Sequence, residues 1–369
     1  MGNKKGSDES DVHPRGNWQP SLGEFLDKHR GERHVVILQN YPDPDAISSA
    51  YAYQLIGREF NISAEILYAG RISHQQNIAL VKLLGIPLVK FEPNMPLNQY
   101  QGAVFVDNQG TSAEEIVQAL EQAGVPALIV IDHHEKQDRL QPEYSLVRRT
   151  GSTATIFAGL LEQGLVMMDQ TRRDHILVAT ALLHGILTDT SNFTHADEED
   201  FLASAFLSCF RDTELLALIM SQSRSKQVME VIHRAITNRV TVESFTIAGI
   251  GYLRADDRDV IPQAADFLLT EENVHTVIVY GIVIVGDEEE RVVGSMRTTK
   301  ITVDPDDFIK DVLGKDASGH YFGGGKITAG GFEIPIGFLS GGDLDDYRDI
   351  KWQVFDKQIK QKIFAKIGV

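Results

Sequence analysis

Cysteine is almost missing from this chain. Cys209 stands alone among 369 residues, which excludes an internal disulfide and fits a reducing, cytoplasmic compartment. Long hydrophobic runs are missing too. The longest apolar stretch, 176–187, is too short to span a bilayer and carries His184. The N-terminus shows no apolar signal region, and Gly6 stands where a myristoylation signal behind Met1-Gly2 wants Ser or Thr. Basic residues are outnumbered, 35 Lys and Arg against 52 Asp and Glu, for a net charge of −17. A surface of that sign repels long polyanions and makes extended duplex nucleic acid a poor first partner. There is no internal repeat and no basic run that would guide a strand.

What is present is an ordinary globular composition, 43% hydrophobic and 24% charged, long enough for a large core and one to three domains. Residues 1–17 are polar and rich in Gly, Ser, Asp and Lys, and read as a disordered tail. Apolar runs at 35–38, 64–68, 103–107 and 127–132 read as strands, and the stretches 46–58, 75–84, 113–122 and 154–163 between and after them read as helices. That alternation predicts an α/β fold with a doubly wound, mainly parallel sheet over 18–200. Helical periodicity over 171–240 suggests a cap, with 201–244 as a helical linker. A smaller α+β domain is expected over 245–345. Its strands fall at 245–252, 276–285, 292–297 and 332–336, with a helix at 304–312 and glycine-rich turns. The remainder, 346–369, reads as a terminal helix.

Acidic and imidazole residues collect where the core runs end. Asp132-His133-His134 closes the run 127–131, Asp43-Pro44-Asp45 follows 35–38, and Asp107 ends Val104-Phe105-Val106. Asp189 follows the helical run 176–187. Carboxylates and imidazoles at the carboxyl ends of core strands can converge on divalent metals in the crevice where open α/β sheets bind ligands. Each motif also has a plainer reading: Pro-Asp is common turn chemistry, and Asp107 and Asp189 suit helix-end or loop positions. The conjunction makes metal-assisted phosphate ester hydrolysis the leading expectation. Adjacent in sequence, His133 and His134 point in different directions, so one can bind metal while the other meets substrate.

The set resembles the DHH phosphoesterase family, in the branch with a DHH-associated C-terminal domain. That branch includes RecJ-like nucleases and NrnA-type oligoribonuclease and pAp phosphatases. The resemblance covers roughly 33–340 and rests on four ordered motifs: Gln39-Asn40-Tyr41-Pro42-Asp43-Pro44-Asp45, Val106-Asp107-Asn108, Asp132-His133-His134 and Leu187-Thr188-Asp189-Thr190. It implies two Mn²⁺ ions, with Mg²⁺ as the substitute, held by Asp43, Asp45, Asp107, His133 and Asp189. Asp107 would bridge the ions, His134 would contact phosphate, and Asp132 would hold a histidine ring from behind. The chain departs from the family at Gln39, where a histidine is usual. The amide is either a weak additional ligand or a residue behind the ligands.

Substrate contacts are expected at three places. Thr150-Gly151-Ser152-Thr153 opens a helix, a place where anions collect, though Ser152 and Thr153 also suit a simple N-cap. Ser73 and Gln76 fit a capping box, and His74 between them can reach substrate or stay solvated. In the second domain, Gly323-Gly324-Gly325-Lys326 matches the family's glycine-rich loop with Lys326 in place of histidine, and Arg297 matches the strand-borne position before it. Lys326 would act as a point charge for a terminal phosphate. Tyr321, Phe322 and Phe332 flank the loop and can stack a base or fill a core.

The resemblance therefore implies a Mn²⁺-dependent phosphohydrolase for short nucleotides: nanoRNA, a linear dinucleotide such as pApA, or pAp. The rival readings are a RecJ-like single-strand exonuclease, a nucleotide-binding regulator with weak catalysis, and the family's inorganic pyrophosphatase branch. That last branch carries a Ser-Arg-Lys-Lys-type motif not found here. The expected partner is a short nucleotide or oligonucleotide, with no long duplex and no membrane, and a homodimer is the assembly to test.

Overall fold

A computed structural model describes residues 21–72, 74–222, 225–285, 289–342 and 345–368. The expected tail over 1–17 and Ser73 lie outside the described residues. The chain divides into two compact units, 1–222 and 223–369. Among the described residues no helix is long and apolar enough to cross a membrane.

The first unit is built on six parallel strands: β1 (Arg33–Ile37), β2 (Ser63–Tyr68), β3 (Leu88–Lys90), β4 (Gly102–Val106), β5 (Ala127–Asp132) and β6 (Tyr144–Val147), in the order β3-β2-β1-β4-β5-β6. Side chains alternate across the pleat. Val36, Val104 and Ile129 pack on one face with helices α2 (Pro44–Glu59), α5 (Thr153–Glu162) and α6 (Arg173–Asp189). Val35, Phe105 and Val130 pack on the other face with α4 (Glu114–Ala123). Both faces are therefore covered, as a parallel sheet requires. Helices α1 (Ser21–Asp27), α3 (Gln75–Leu84), α7 (Glu198–Ser208) and α8 (Thr213–Met220) complete the unit.

Local chemistry sets the helix starts and stops. Asp43 caps α2 by accepting from the Ala46 N–H at 2.9 Å, and Pro44 occupies the first turn, where its missing N–H needs no partner. Helices α3 and α4 end on Gly85 and Gly124, at φ 65° and 70°, a backbone region where glycine pays no steric cost. The expected capping box at α3 runs through Ser73 and so lies outside the described residues. His74 takes the N-cap position without a side-chain cap, and the Gln76 amide donates to the Met220 carbonyl.

The second unit holds a six-stranded mixed sheet, larger than the pattern suggested. Its strands are β7 (Arg239–Val242), β8 (Phe245–Arg254), β9 (Thr276–Val285), β10 (Glu289–Thr298), β11 (Gly323–Gly325) and β12 (Ala329–Pro335), ordered β11-β12-β10-β9-β8-β7. Helices α9 (Lys226–Asn238) and α10 (Val260–Leu268) cover one face, and α11 (Pro305–Leu313) and α12 (Asp345–Ile367) the other. The expected linker 201–244 is split. Leu207 and Ile219 pack in the first core, Val228 and Val231 in the second, because each helix has an apolar face that its own sheet covers. The terminal helix is likewise part of a core, through Ile359 and Ile363. Helix α10 is an addition to the expected elements, and it contains Pro262. The proline sits in the first turn, where backbone N–H groups have no intrahelical partner to lose.

Candidate metal centre

Strand order reverses between β1 and β4, and this topological switch point opens a crevice at the carboxyl ends of the strands. Asp43 and Asp45 follow β1 at the start of α2, Asp107 follows β4, and Asp132, His133 and His134 end or follow β5. Helix α6 delivers Asp189 as its last residue. It approaches α2 closely because Gly185 has no side chain. A Cβ there would meet the Ser48 hydroxyl and stand 3.2 Å from both the Asp45 Cα and the Ala154 Cβ.

The residues do converge. His133 Nε2 lies 3.5 Å from Asp107 Oδ1 and 3.3 Å from Asp189 Oδ2. Two overlapping trios share His133, one with Asp107 and His134, the other with Asp45 and Asp189, each with its potential ligand atoms within 4.8 Å of one another. Asp107 is buried, while the Asp189 side chain is 32% exposed at the open rim. The Asp107 backbone has φ 56°, a left-handed conformation that aspartate tolerates better than most residues and that costs roughly 1–2 kcal/mol.

Hydrogen bonds fix which atoms face the centre. The His133 Nδ1–H donates to the Thr150 carbonyl at 3.0 Å, since a carbonyl only accepts, and this leaves Nε2 aimed at the carboxylates. His134 Nδ1 donates to Asp132 Oδ1 at 2.8 Å, and Gln109 holds the other Asp132 oxygen at 2.7 Å. Asp132 thus anchors His134. Asp45 accepts the Thr153 and Ala154 N–H groups at the start of α5, both at 2.7 Å. Gln39 donates its amide to Asp43 Oδ2 at 3.0 Å, so it stands behind a carboxylate in this structure.

The α5 N-terminus, expected to meet substrate through Ser152 and Thr153, is already in use. Asp45 takes its N–H groups, the Ser152 hydroxyl accepts from the Thr155 N–H, and the Thr153 hydroxyl donates to Asp107 Oδ1 at 3.1 Å. The positive helix end satisfies an internal anion, so Thr153 positions carboxylates while Ser152 caps the helix.

Charge is concentrated here against its own repulsion. Burial, then the neighbouring Asp189 and Asp43, push the Asp45 carboxyl well above its ordinary range. Burial, then Asp45, Asp43 and other acids, do the same to Asp107. Asp189 is also raised, chiefly by burial. Burial works against the ionised form of Asp132 too, but hydrogen bonds from His134 and Gln109 hold its pKa below the usual value. Buried like charges beside an imidazole lone pair are costly unless a proton or a cation stands among them. Hard oxygen donors with imidazole nitrogen suit Mn²⁺ or Mg²⁺, so the residues fit the expected cation class.

The remaining expected contacts lie elsewhere. His74 is exposed at the start of α3, and its proximity adds to the burial that lowers the His184 pKa to about 4. In the second unit the glycine run is a strand rather than an anion-binding loop. Residues Gly323–Gly325 pair with β12, and the Gly325 N–H donates to Asp306 at 3.0 Å. Flanking backbone N–H groups that were to approach an anion are spent in the hairpin, where Lys326 N–H donates to the Ala329 carbonyl at 2.7 Å. Lys326 itself is exposed at the turn. Arg297 pairs with Asp266 at 2.7 Å and donates to the Ser295 hydroxyl at 2.8 Å. Phe332 is core, packed under Gly294 and Gly323, while Tyr321 lies beside Lys310 and Lys315. Phe322 and Gly323 help line a cavity of about 400 Å³ that also touches Arg258 and Glu333. Sequence reasoning missed Thr150's carbonyl, Gln109 and Gly185 as positioning groups. Of these, only Gln109 carried a signal, by following Asp107-Asn108 directly.

Fold and cluster together define an α/β protein with a cation-seeking acid and histidine centre at the switch point. Residues 34–186 match the DHH family, N-terminal domain. It is 33% identical over 339 residues to the uncharacterized protein MJ1633 of Methanocaldococcus jannaschii, covering 91% of this chain and 64% of that protein. A probable manganese-dependent inorganic pyrophosphatase of Bacillus cereus is 29% identical over 189 residues, or 50% of this chain and 57% of the relative. This chain therefore spans less than two thirds of either. The crystal structure of an exopolyphosphatase-related protein from Bacteroides fragilis shares the fold, with a TM-score of 0.64 at 14% identity, covering 94% of this chain and 96% of that one.

Proposed function

We propose that the protein is a divalent-metal-dependent phosphohydrolase, with Mn²⁺ as the preferred ion, acting on short nucleotides such as nanoRNA, pApA or pAp. The observation that carries this reading is the aim of His133 Nε2 at the carboxylates of buried Asp107 and rim-exposed Asp189. Asp43, Asp45, Asp107, His133 and Asp189 would hold the ions, two of them if both trios fill. Bound, the cations would polarise a phosphoryl oxygen and make water acidic enough to attack near neutral pH.

The chain supplies the orientation. Thr150 fixes the His133 tautomer, and the α5 N-terminus fixes both oxygens of Asp45. With Nδ1 donating to Asp132, the half-exposed His134 ring can present its other edge to a phosphoryl oxygen and stabilise charge as it develops. The second unit fits a DHH-associated C-terminal domain, in which Lys326 and Arg297 would meet the nucleotide phosphate. The net charge of −17 favours short substrates over long single strands.

A second reading, inorganic pyrophosphatase, draws on the likeness to the Bacillus cereus protein. One panel separates the readings: pAp, pApA, cyclic di-AMP, a five-nucleotide RNA, a long single strand and pyrophosphate, each with Mn²⁺. Turnover that falls with oligonucleotide length supports the proposal. Orthophosphate from pyrophosphate alone would replace it with the second reading. Tight pApA binding without turnover would make the protein a regulator.

A further inference from the structure

The end of β1 away from the crevice carries its own cluster of histidine and acid. His29 lies in the turn after α1, Glu32 just before β1, and His34 is the second residue of that strand. In a parallel sheet the strand starts lie at the opposite edge from the switch-point crevice. Glu32 Oε2 stands 2.9 Å from His29 Nδ1 and 3.2 Å from His34 Nε2. These three side chains, like the catalytic trios, place their potential ligand atoms within 4.8 Å of one another.

We propose that His29, Glu32 and His34 form a second, nitrogen-rich site for a divalent cation of the zinc class, separate from the oxygen-rich centre. Donor atoms of a tetrahedral zinc site, with bonds of about 2.0–2.1 Å, stand about 3.3 Å apart, close to the two separations here. The most buried ligand is already oriented. His34 Nδ1 lies 2.7 Å from the hydroxyl of Tyr53, itself fully buried, and a phenol oxygen that accepts this N–H leaves the Nε2 lone pair facing Glu32 and His29.

Neighbouring cations are turned away from the trio. Arg30 pairs with Asp27 and lies 5.1 Å from the Phe60 ring centre, and Arg33 lies 5.5 Å from that of Tyr100. Two imidazoles and one carboxylate leave a fourth position for water. Imidazole-rich sites rank Zn²⁺, Co²⁺ and Ni²⁺ above Mn²⁺, whereas the crevice has more carboxylates and suits Mn²⁺ and Mg²⁺. The two centres therefore differ in which ion they select.

The test titrates Co²⁺ into the full chain with excess Mn²⁺ present, and then displaces it with Zn²⁺. One equivalent of Co²⁺ should give the intense visible bands of a tetrahedral site, and Zn²⁺ should abolish them. His29→Ala and Glu32→Gln should each weaken Co²⁺ by at least about tenfold, whereas Arg30→Ala should leave the titration unchanged. Glu32→Gln keeps the shape of the side chain, so it carries the test if His29→Ala does not fold. Absence of the bands in the parent, or bands of equal affinity in both ligand variants, would reduce the trio to a hydrogen-bonded structural cluster. The readout is independent of activity, so it stands or falls apart from the proposed hydrolysis.

Discussion

The two units treat charge in opposite ways. In the first, Asp45, Asp107 and Asp189 are brought together around His133 with no Lys or Arg paired to them among the described contacts. In the second, the cations expected to serve substrate are either engaged, as Arg297 is with Asp266, or left in solvent, as Lys326 is. The first cluster stores unfavourable electrostatics that a cation would relieve, whereas Arg297 and Lys326 are charges that cost little to hold. Affinity for metal and the chemistry should therefore depend steeply on the first unit, and substrate choice shallowly on the second.

The hardest blow to that contrast falls on Asp107. Asp107→Ala should lower kcat by about 10³-fold or more, since several kcal/mol of charge stabilisation would depend on the cations it is proposed to hold. Circular dichroism should show an intact fold. Asp107→Asn should behave alike with a better-tolerated left-handed backbone. Near-normal turnover in either variant would remove Asp107 from the centre.

Next is Gly185→Ala, which forces a methyl group against Ser48 and the Asp45 backbone. Overpacking of this kind costs about 1–3 kcal/mol, and the melting temperature should fall accordingly. Activity should fall further than stability alone explains, because the clash shifts Asp45 itself. A loss of stability with kcat unchanged would mean that the close approach of α2 and α6 serves packing only.

Metal removal sharpens the comparison through pH. The folded-state pKa values of Asp45, Asp107 and Asp189 lie above their unfolded values, so the folded chain binds more protons. Stability then decreases as pH rises from the unfolded carboxylate range through the raised values. The chelator-treated protein should melt higher at mildly acidic pH than at neutral pH, and Mn²⁺ should flatten or reverse that slope. Identical pH profiles with and without Mn²⁺ would contradict the reading of the cluster as a cation site.

Smaller effects are expected in the second unit. Lys326→Ala should raise KM for a nucleotide by about five- to tenfold with kcat unchanged, the scale of one charged hydrogen bond. A fall in kcat with KM constant would give Lys326 a different role. The smallest shift belongs to Gln39→His. Replacing an amide that donates to Asp43 by an imidazole should lower half-saturating Mn²⁺ about threefold, within the reach of changes made behind a ligand. An unchanged titration would keep residue 39 out of contact with the ions.

Much of this was legible in the chain itself. Period-two and continuous apolar runs located β1, β2, β4 and β5, since a buried parallel strand needs nothing but apolar side chains. The short strands β3 and β6 escaped because three or four half-polar residues carry no periodic signal. The acid and histidine motifs were visible because the crevice lies where strands end, so the groups sit at the ends of the runs. Ser152 and Thr153 were placed on substrate because a helix N-terminus attracts any anion. The sequence carries no sign that Asp45, more than 100 positions away, is that anion.

Order along the chain determined which elements exist and which residues stand at their ends, because local periodicity and caps act over a few residues. Tertiary structure alone decided that α6 meets α2 at Gly185, that Thr150 aims His133, and that three acids share one site. It also decided that the glycine run pairs as a strand. Those outcomes depend on distances between remote segments, and such distances are set by packing across the sheet, which no local pattern encodes.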